Sequence, residues 1–299
     1  MKAYLIIILS FLFVIQLFAQ DLQGLKKRIA VVDFEDRAGY GHNIGTGLAD
    51  MLVTQLVKSG QFLVVERQEL TKILEEQGLG MSGAVTPQSA AQVGQLLGVE
   101  LMVMGSVSEF GEKSSGIGGS FGKIGIGAGV SKRLARAVVD VRLVNTSTGE
   151  IVTAESAEGE ESSTKLDNVS VESIDFGNPT YWDETLLGKA SRKAIDKCVG
   201  YIAKAMEKIP WEGKLIKVNE DGTVYMKPGS AGGIKIGMEF VVYSKGEAII
   251  DPDTGLALGS EEQLVGKLKV VQDLGDGKAC KAIVTSGMGL KQGDVVRVK

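Results

Sequence analysis

The sequence predicts an α/β (α+β) N-terminal domain over residues 26–209 that carries two long β-hairpin excursions, followed by a small all-β barrel or SH3-like domain over residues 211–299. Three observations support this fold class. Short apolar strands alternate with amphipathic helices up to the first excursion. Glycine-rich and acidic segments then interrupt the pattern at 107–144 and 150–184. In the last part of the chain, fourteen glycines between residues 222 and 293 separate short β-rich runs.

The composition excludes several classes of protein. The chain has 299 residues with 44% hydrophobic and 23% charged side chains, which excludes a disordered polar chain. Its net charge of −4 gives no general attraction to nucleic acid, so we expect no nucleic-acid partner. One His and two Cys leave little for zinc sites, His-based triads or a disulfide framework. We therefore predict no catalytic residues, no metal site, no cofactor and no enzymatic activity.

The N-terminus predicts a secretory signal peptide over residues 1–20. Lys2 is followed by an apolar run over residues 3–18 and then by Ala19, a small residue at a cleavable junction. The alternative is a retained anchor helix, but the run is short for a span of about 20 residues. No Cys lies near the junction to accept a lipid anchor.

The elements of the N-terminal domain follow from hydrophobic periodicity and capping residues. Leu48, Met51, Leu52 and Leu56 recur at helical spacing, and a Gly at position 60 ends that pattern. Thr86 and Pro87 are a typical N-cap and first helical residue. The predicted elements, in order, are a strand at 28–34, a loop at 35–45, a helix at 48–59, a strand at 62–65, helices at 66–74 and 88–97, a strand at 101–104, and a helix at 187–209 that ends at Pro210.

The two excursions differ in chemistry. The first contains most of a glycine-rich stretch, with nine Gly between residues 105 and 129, where Ile124, Ile126, Ala128 and Val130 alternate with small residues and would share one face of a strand. These four residues are candidate membrane-facing positions, with packing against the protein's own core as the alternative. The second excursion has ten acidic residues and one lysine between residues 150 and 184. Its acids would face cations or basic partners, or form a solvated surface hairpin.

Three local motifs favour ordinary structural explanations. Residues 118–122 (GGSFG) match the nucleophile pattern G-x-S-x-G, but glycines flank them where a helix would be required. Residues 251–255 (DPDTG) resemble part of a calcium loop but fit a proline-containing hairpin turn better. Cys198 lies on an apolar helical stripe and Cys280 in a strand, which favours two separate core thiols over a disulfide.

Several short segments carry a family resemblance: residues 31–34 (VVDF), 51–59 (MLVTQLVKS), 62–68 (FLVVERQ), 103–107 (VMGSV) and 141–150 (VRLVNTSTGE). In these segments the chain resembles the CsgG/HfaB family of curli-assembly and holdfast-anchor secretion proteins over about residues 28–209. The tail from Trp211 is similar to the C-terminal module of flagellar assembly protein T.

The resemblance implies a periplasmic, outer-membrane-associated homo-oligomer that forms a ring. It implies two hairpins per subunit, which build one large barrel in the channel-forming members, and a secreted or surface-assembly protein as partner. The family's constriction loop corresponds to residues 35–45, where Tyr40 and Asn43 are the candidate constriction contacts.

The positions of charged residues favour one of two interpretations of this resemblance, a periplasmic assembly factor or an outer-membrane pore. A membrane strand needs one apolar face over about 9–11 residues. Between residues 155 and 165, charged residues fall on both faces of a strand. We therefore favour a periplasmic, ring-forming assembly factor for a surface structure over a true outer-membrane secretion pore, which stays as the alternative.

Overall fold

A computed structural model describes residues 24–41, 43–76, 86–116, 131–163, 184–250, 252 and 257–299. The chain divides into two compact units. The α/β unit comprises Arg28–Gly60 and Val64–Lys208. The barrel unit comprises Gln61–Leu63 and Ile209–Lys299, together with the described residues up to Lys27. The predicted signal peptide, 1–20, lies outside the described residues.

A mixed sheet with helices packed on it forms the first part of the fold. Its strands run in the order β3-β1-β4-β5-β6, and β2 also pairs with β4. β1 and β2 run parallel to β4, whereas β4, β5 and β6 are successively antiparallel. The elements are β1 Lys27–Val31, β2 Glu35–Asp36, α1 Ile44–Ser59, β3 Phe62–Val64, α2 Arg67–Glu76, α3 Pro87–Leu97, β4 Leu101–Gly116, β5 Ser131–Asn145, β6 Ile151–Ser163 and α4 Leu186–Glu207.

The helix ends follow the capping signals in the sequence. The Thr86 side chain accepts a hydrogen bond from the Ser89 amide at 3.2 Å, and Ser89 Oγ accepts one from the Thr86 amide at 2.9 Å. This reciprocal pair caps α3, with Pro87 as its first residue, as predicted. Gly60 ends α1 in the left-handed conformation, at φ 68°, which glycine adopts without steric cost.

Apolar side chains fill both faces of the sheet. On one face, residues of β1, β4 and β5 form a buried cluster with residues of α2, α3 and the loop after α3. Its fully or nearly fully buried members are Ala30, Val32, Leu70, Ala90, Val93, Val99, Met102 and Val144. On the other face, Ala135 and Ala137 of β5 pack with Leu187 and Ala190 of α4. Helices therefore cover the sheet from both sides.

The first excursion departs from the prediction at its base. The predicted strand at 101–104 and the first arm of the hairpin at 107–144 are one continuous strand, β4, which passes through Gly105. A side chain at Gly105 would meet the ring of Phe34, because a Cβ there would lie 2.7 Å from Phe34 Cδ1. This glycine makes room for a neighbouring ring and does not end a strand. β4 and β5 stay paired as far as Gly116 and Ser131.

The second excursion begins as a strand of the same sheet. β6 pairs with β5 from Ile151 to Ser163, and α4 covers part of it. Ala157 is buried, and the Cβ of any side chain at Gly159 would lie 1.9 Å from the carbonyl oxygen of Ala190 in α4. The segment at 164–183, which holds the rest of this predicted hairpin, lies outside the described residues.

The second unit is a closed six-stranded barrel in the order β10-β11-β8-β7-β12-β9, which confirms the predicted small all-β barrel. All neighbouring strands are antiparallel. The SH3-like detail and the likeness of this module to flagellar assembly protein T stay predictions. The strands are β7 Glu212–Val218, β8 Thr223–Lys227, β9 Glu239–Ile250, β10 Ala257–Leu274, β11 Ala279–Gly287 and β12 Val295–Val298.

Truncating Trp211 should destabilise the barrel strongly. Its buried ring stacks on Phe240 with a centroid distance of 5.3 Å, and both belong to the barrel core. We expect Trp211→Ala to lower the free energy of unfolding by about 3–5 kcal/mol. Trp211→Phe should cost clearly less than Trp211→Ala, because it keeps an aromatic ring and the indole N–H donates no hydrogen bond in the structure. Urea unfolding of both variants checks this; equal losses would contradict the packing account.

The two cysteines are free and buried, Cys198 in α4 and Cys280 in β11. Burial raises the pKa of each thiol to about 12, so the reactive thiolate is scarce in the folded protein. We expect neither thiol to react with a disulfide reagent until the chain is unfolded in denaturant, when both should react. Rapid labelling of one thiol in the native protein would contradict this.

Candidate functional site

The predicted constriction loop, residues 35–45, is attached to the sheet at its start. β2 pairs in parallel with β4, placing Glu35 opposite Ser106 and Asp36 opposite Val107. The next two amides, of Arg37 and Ala38, both donate to the carbonyl oxygen of Val107 at 2.9 Å. The loop therefore leaves the sheet from a fixed point beside the middle of β4.

The Asp36 carboxylate closes the loop into a turn. It accepts hydrogen bonds from the backbone amides of Tyr40 at 3.3 Å and Gly41 at 2.7 Å. Gly39 and Gly41 adopt φ of 67° and 77°, a region that disfavours other residues. The sequence-based interpretation did not single out Asp36; the available signal was an Asp close to two glycines, since Asp and Gly are both common in turns.

Tyr40 packs against the sheet of its own chain. Its ring meets the ring of Phe110 edge to face, with centroids 4.6 Å apart and planes 74° apart. Partial burial raises the pKa of the Tyr40 hydroxyl, and the Glu112 carboxylate raises it further. Phe110 in turn packs on the cluster of β5 and α4, so that cluster supports one candidate residue of the loop.

Asn43 lies at the other end of the loop, exposed, immediately before α1. It is the one non-glycine among the described residues with a positive φ, 57°, a conformation that Asn tolerates better than most residues. Its side chain makes no capping hydrogen bond, although its carbonyl oxygen accepts one from Gly47 at 2.9 Å. The structure thus places Tyr40 against the sheet and leaves the Asn43 amide facing solvent.

Phe34, directly before the loop, packs against both β4 and α1. The sequence-based interpretation did not identify it as a residue that positions the loop. Its ring lies against Gly105, and its backbone lies against Gly45 in the first turn of α1. A Cβ at Gly45 would lie 1.8 Å from the Phe34 carbonyl oxygen. Glycines at both positions therefore let α1 and β4 close around the segment that leads into the loop.

Glu158, Glu160 and Glu161 of β6 lie within ion-pair distance of basic side chains. On one face of the sheet, Arg136 Nε lies 3.1 Å from Glu158, 3.2 Å from Glu109 and 3.8 Å from Glu160. On the other face, Lys193 of α4 lies 2.6 Å from Glu161. The charged residues on one face of β6 belong to an ion-pair cluster around Arg136. On the other face, Glu161 pairs with a lysine of the helix that covers the strand.

The candidate membrane-facing residues Ile124, Ile126, Ala128 and Val130 lie outside the described residues. They belong to the segment that joins Gly116 of β4 to Ser131 of β5, the last pair in register between these strands. Arg133 and Glu112 form an ion pair of 3.6 Å close to this end of the hairpin.

No helix in the part of the chain that the structure describes is long and apolar enough to cross a membrane.

Within the same described ranges, no three side chains of His, Cys, Asp or Glu lie together as metal ligands would.

Sequence comparison relates the chain to curli production components and to a protein with a lipoprotein name. A family model described as "Curli production assembly/transport component CsgG" matches residues 11–230. The Neisseria meningitidis protein NMB1126/NMB1164, which carries a lipoprotein name, is 28% identical over 197 residues, covering 63% of this chain and 80% of its own. CsgG of Escherichia coli K12 is 36% identical over 110 residues, covering 35% of this chain and 39% of CsgG. That match therefore spans about two fifths of CsgG.

Structural comparison finds smaller likenesses. The hypothetical protein CT253 of Chlamydia trachomatis superposes with a TM-score of 0.42 at 14% identity, covering 59% of this chain and 95% of that one. Lipoprotein GNA1162 of Neisseria meningitidis superposes with a TM-score of 0.34 at 18% identity, covering 48% and 88%.

Proposed function

Because the chain belongs to the CsgG family of curli production assembly/transport components, we propose that it is a non-enzymatic, ring-forming component that assembles or secretes a cell-surface structure. It would work in the periplasm in association with the outer membrane, as a homo-oligomer with a secreted or surface-assembly protein as partner. The observation that carries this proposal is the family match over residues 11–230, which includes the sheet, the loop at 35–45 and all four helices.

We propose that Tyr40 and Asn43 contact the secreted or surface-assembly protein that enters the ring. Two features support this role. The loop is held at both ends, by β4 and by the first turn of α1, so its position would repeat in every subunit. Asn43 also exposes an amide that can donate and accept hydrogen bonds, and that makes no cap with its own helix.

A cross-linking experiment tests whether the loops of neighbouring subunits meet. Asn43→Cys introduces an exposed thiol, whereas Cys198 and Cys280 are buried and should give little background. If the loops of neighbouring subunits converge, a short bifunctional maleimide should produce a covalent dimer from the full chain purified from the cell envelope, because each subunit offers one reactive thiol and each reagent molecule joins two.

Glu220→Cys is the matched control, since it is exposed in the turn between β7 and β8 and lies in the barrel unit. It should give few cross-links with the same short reagent. A single monomer band for Asn43→Cys, at concentrations where the protein is oligomeric, would overturn the placement of the loop at the ring axis.

The second candidate function is an outer-membrane secretion pore built from two hairpins per subunit. The pairing of β4 with β5 up to Gly116 and Ser131 favours a pore for the first hairpin. In such a pore, Ile124, Ile126, Ala128 and Val130 would face lipid.

The charged strand β6 favours the periplasmic assembly factor over the pore. Glu158 and Glu160 pair with Arg136 on one face of this strand, and part of the opposite face meets α4. A pore should fractionate with outer membranes and raise planar-bilayer conductance; recovery of all the protein in the soluble periplasmic fraction would exclude it.

A further inference from the structure

Part of the hairpin formed by β9 and β10 extends beyond the closed barrel. β12 pairs with β9 only as far as Tyr243, and β11 pairs with β10 only from Gly266 onwards. Among the strands that the structure describes, residues 244–250 and 257–264 therefore pair only with each other. We call this two-stranded segment the arm. Its β9 strand has seven residues and is roughly 20 Å long.

Ion pairs anchor the base of the arm to the barrel. Arg297 of β12 donates from Nε to Glu212 of β7 at 2.9 Å and from Nη1 to Glu262 of the arm at 2.5 Å. Its guanidinium group lies over the ring of Tyr243, 5.3 Å from the centroid. Lys245 of the arm lies 3.6 Å from Glu262. The two acidic and two basic groups of this cluster balance each other, and they fix the point from which the arm leaves the barrel.

The outer part of the arm exposes apolar and acidic side chains. Ile249 and Ile250 are 57% and 52% exposed, and Ile249 lies opposite Gly259, which has no side chain to cover it. Glu247 on the same strand and Glu261 on the partner strand are also exposed. A two-stranded hairpin is at best marginally stable alone in water. Two adjacent exposed isoleucines on such a hairpin indicate a surface that another molecule covers.

Irregular pairing makes the edges of the arm poor sites for the addition of a further strand. The register between β9 and β10 shifts three times here, between Ala257 and Gly259, between Ser260 and Glu262, and between Leu264 and Gly266. Such bulges twist a strand edge and protect it from pairing with another chain. We therefore expect a partner to pack on the side chains of the arm and not to extend its sheet.

The opposite side of the barrel has complementary chemistry. In the closed strand order, β11 separates β10 from β8, and β12 separates β9 from β7, so β7 and β8 lie across the barrel from the arm. On β7, Lys214, Ile216 and Lys217 are exposed, and we call these three residues the β7 patch. A register shift between Leu215 and Lys217 accounts for two neighbouring outward side chains on one strand.

The carboxylates closest in sequence to the β7 patch do not cancel its charge. Glu212, on the same strand, is bound by Arg297. Asp221, in the turn after β7, accepts hydrogen bonds from the amide and the hydroxyl group of Thr223 at 2.9 and 2.6 Å. Glu220 in that turn is exposed, so one carboxylate accompanies the two lysines of the patch. The patch is basic and apolar, whereas the outer part of the arm is acidic and apolar.

We propose that the arm of one subunit packs on the β7 patch of a second copy of the chain. The isoleucines of the arm cover Ile216, and the two exposed carboxylates face the two lysines of the patch. Because the two surfaces lie on opposite sides of one barrel, the contact is head-to-tail, and each subunit binds a different neighbour on each side. A closed series of such contacts is a ring, so the inference rests on the proposed homo-oligomer and supplies one of its contacts.

Cross-linking of a two-cysteine variant tests the direction of the contact. Ile216→Cys with Ile249→Cys places one thiol on each surface, while Cys198 and Cys280 are buried. A short bifunctional maleimide should join the full chain, purified from the cell envelope, into a ladder of oligomers, because the two thiols of each subunit meet different neighbours. They lie on opposite sides of the barrel, so a short reagent does not join them within one subunit. Each single variant should stay monomeric.

Charge exchange tests whether the two surfaces meet each other. Glu247→Lys with Glu261→Lys should weaken self-association of the full chain by roughly tenfold in analytical ultracentrifugation. Lys214→Glu with Lys217→Glu should weaken it by a similar factor. The variant with all four substitutions should regain most of the lost affinity, because opposite charges again face each other.

Further variants separate apolar contact from net charge. Ile249→Ser with Ile250→Ser should weaken self-association by roughly 50-fold, since it removes the apolar surface that the neighbour covers. Lys235→Glu with Lys278→Glu changes the net charge as much as the β7 pair does, but these lysines lie in connections at the end of the barrel away from the arm. This control should associate normally. Thermal unfolding verifies that every variant stays folded, as expected for exposed positions.

The outcomes distinguish this contact from the proposed ring. Rings in electron micrographs, together with no ladder from the two-cysteine variant, would overturn the contact and leave the ring intact. A ladder without closed rings would support the contact and overturn the ring. A dimer from Ile249→Cys alone would show that arms pair with arms and would overturn the contact. Self-association unaffected by Ile249→Ser with Ile250→Ser would also overturn it and would assign the arm to a different protein.

Discussion

Replacing Gly159 with alanine is expected to lower the free energy of unfolding of the α/β unit by at least about 3 kcal/mol. A Cβ at this position would lie 1.9 Å from the carbonyl oxygen of Ala190 and 2.7 Å from the amide nitrogen of Ala194. Both atoms belong to the backbone of α4, so no side-chain rotation relieves the clash. β6 and α4 would have to separate, exposing Ala157 and the cluster around Ala137 and Leu187.

The control for this prediction lies on α4 itself. Gly200 is exposed in the helix and has open space where a Cβ would go. Gly200→Ala should therefore stabilise the unit, by up to about 1 kcal/mol, through helix propensity. Urea unfolding followed by far-ultraviolet circular dichroism compares the two. Wild-type stability in Gly159→Ala would mean that α4 does not lie against β6 as described.

Replacing Gly45 with alanine is expected to destabilise the same unit by about 3 kcal/mol and to displace the loop at 35–45. A Cβ here would lie 1.8 Å from the carbonyl oxygen of Phe34 and 2.8 Å from its carbonyl carbon. The first turn of α1 must then move away from the segment that leads into β2. Tyr40 and Asn43 lie between these two points and would move with them.

Thr46→Ala, one residue away, is the matched control. It removes one hydrogen bond, from Thr46 Oγ1 to Asp33 at 3.2 Å, and should cost about 1 kcal/mol without moving the loop. In the Asn43→Cys background, Gly45→Ala should abolish the cross-linked dimer, whereas Thr46→Ala should preserve it. Equal dimer yields in the two variants would mean that the position of the loop does not depend on the close packing at Gly45.

Local signals in the sequence predicted the elements that depend on local chemistry. Thr86 and Pro87 identified the start of α3, because an N-cap and a first-turn proline act within a few residues. Gly60 identified the end of α1 for the same reason. The barrel was predicted from glycine turns at short spacing, which connect consecutive strands in three of its six pairs: β7 with β8, β9 with β10, and β10 with β11.

The role of some glycines depends on a distant neighbour, which local patterns do not reveal. Gly105 begins the glycine-rich stretch in the sequence, but in the structure it makes room for the ring of Phe34, 71 residues earlier in the chain. Gly159 was counted within an acidic excursion, yet it accommodates α4. Ala157 and Gly159 are small residues two positions apart, on the same face of the strand. This pattern was the only local indication that another element packs closely on that face.

The candidate site was predicted in outline only. The family resemblance identified the loop with Tyr40 and Asn43, but the partner of Tyr40 is Phe110, 70 residues away, and no local pattern connects them.

Electron microscopy of the full chain, purified from the cell envelope, is the decisive test of the proposed ring. We expect rings of cyclic symmetry, with the loops at 35–45 of all subunits facing a common axis. The Gly45→Ala variant should lose the density that these loops contribute or fail to form rings. A homogeneous population of single subunits at every protein concentration tested would contradict the claim that this chain is a ring-forming assembly component.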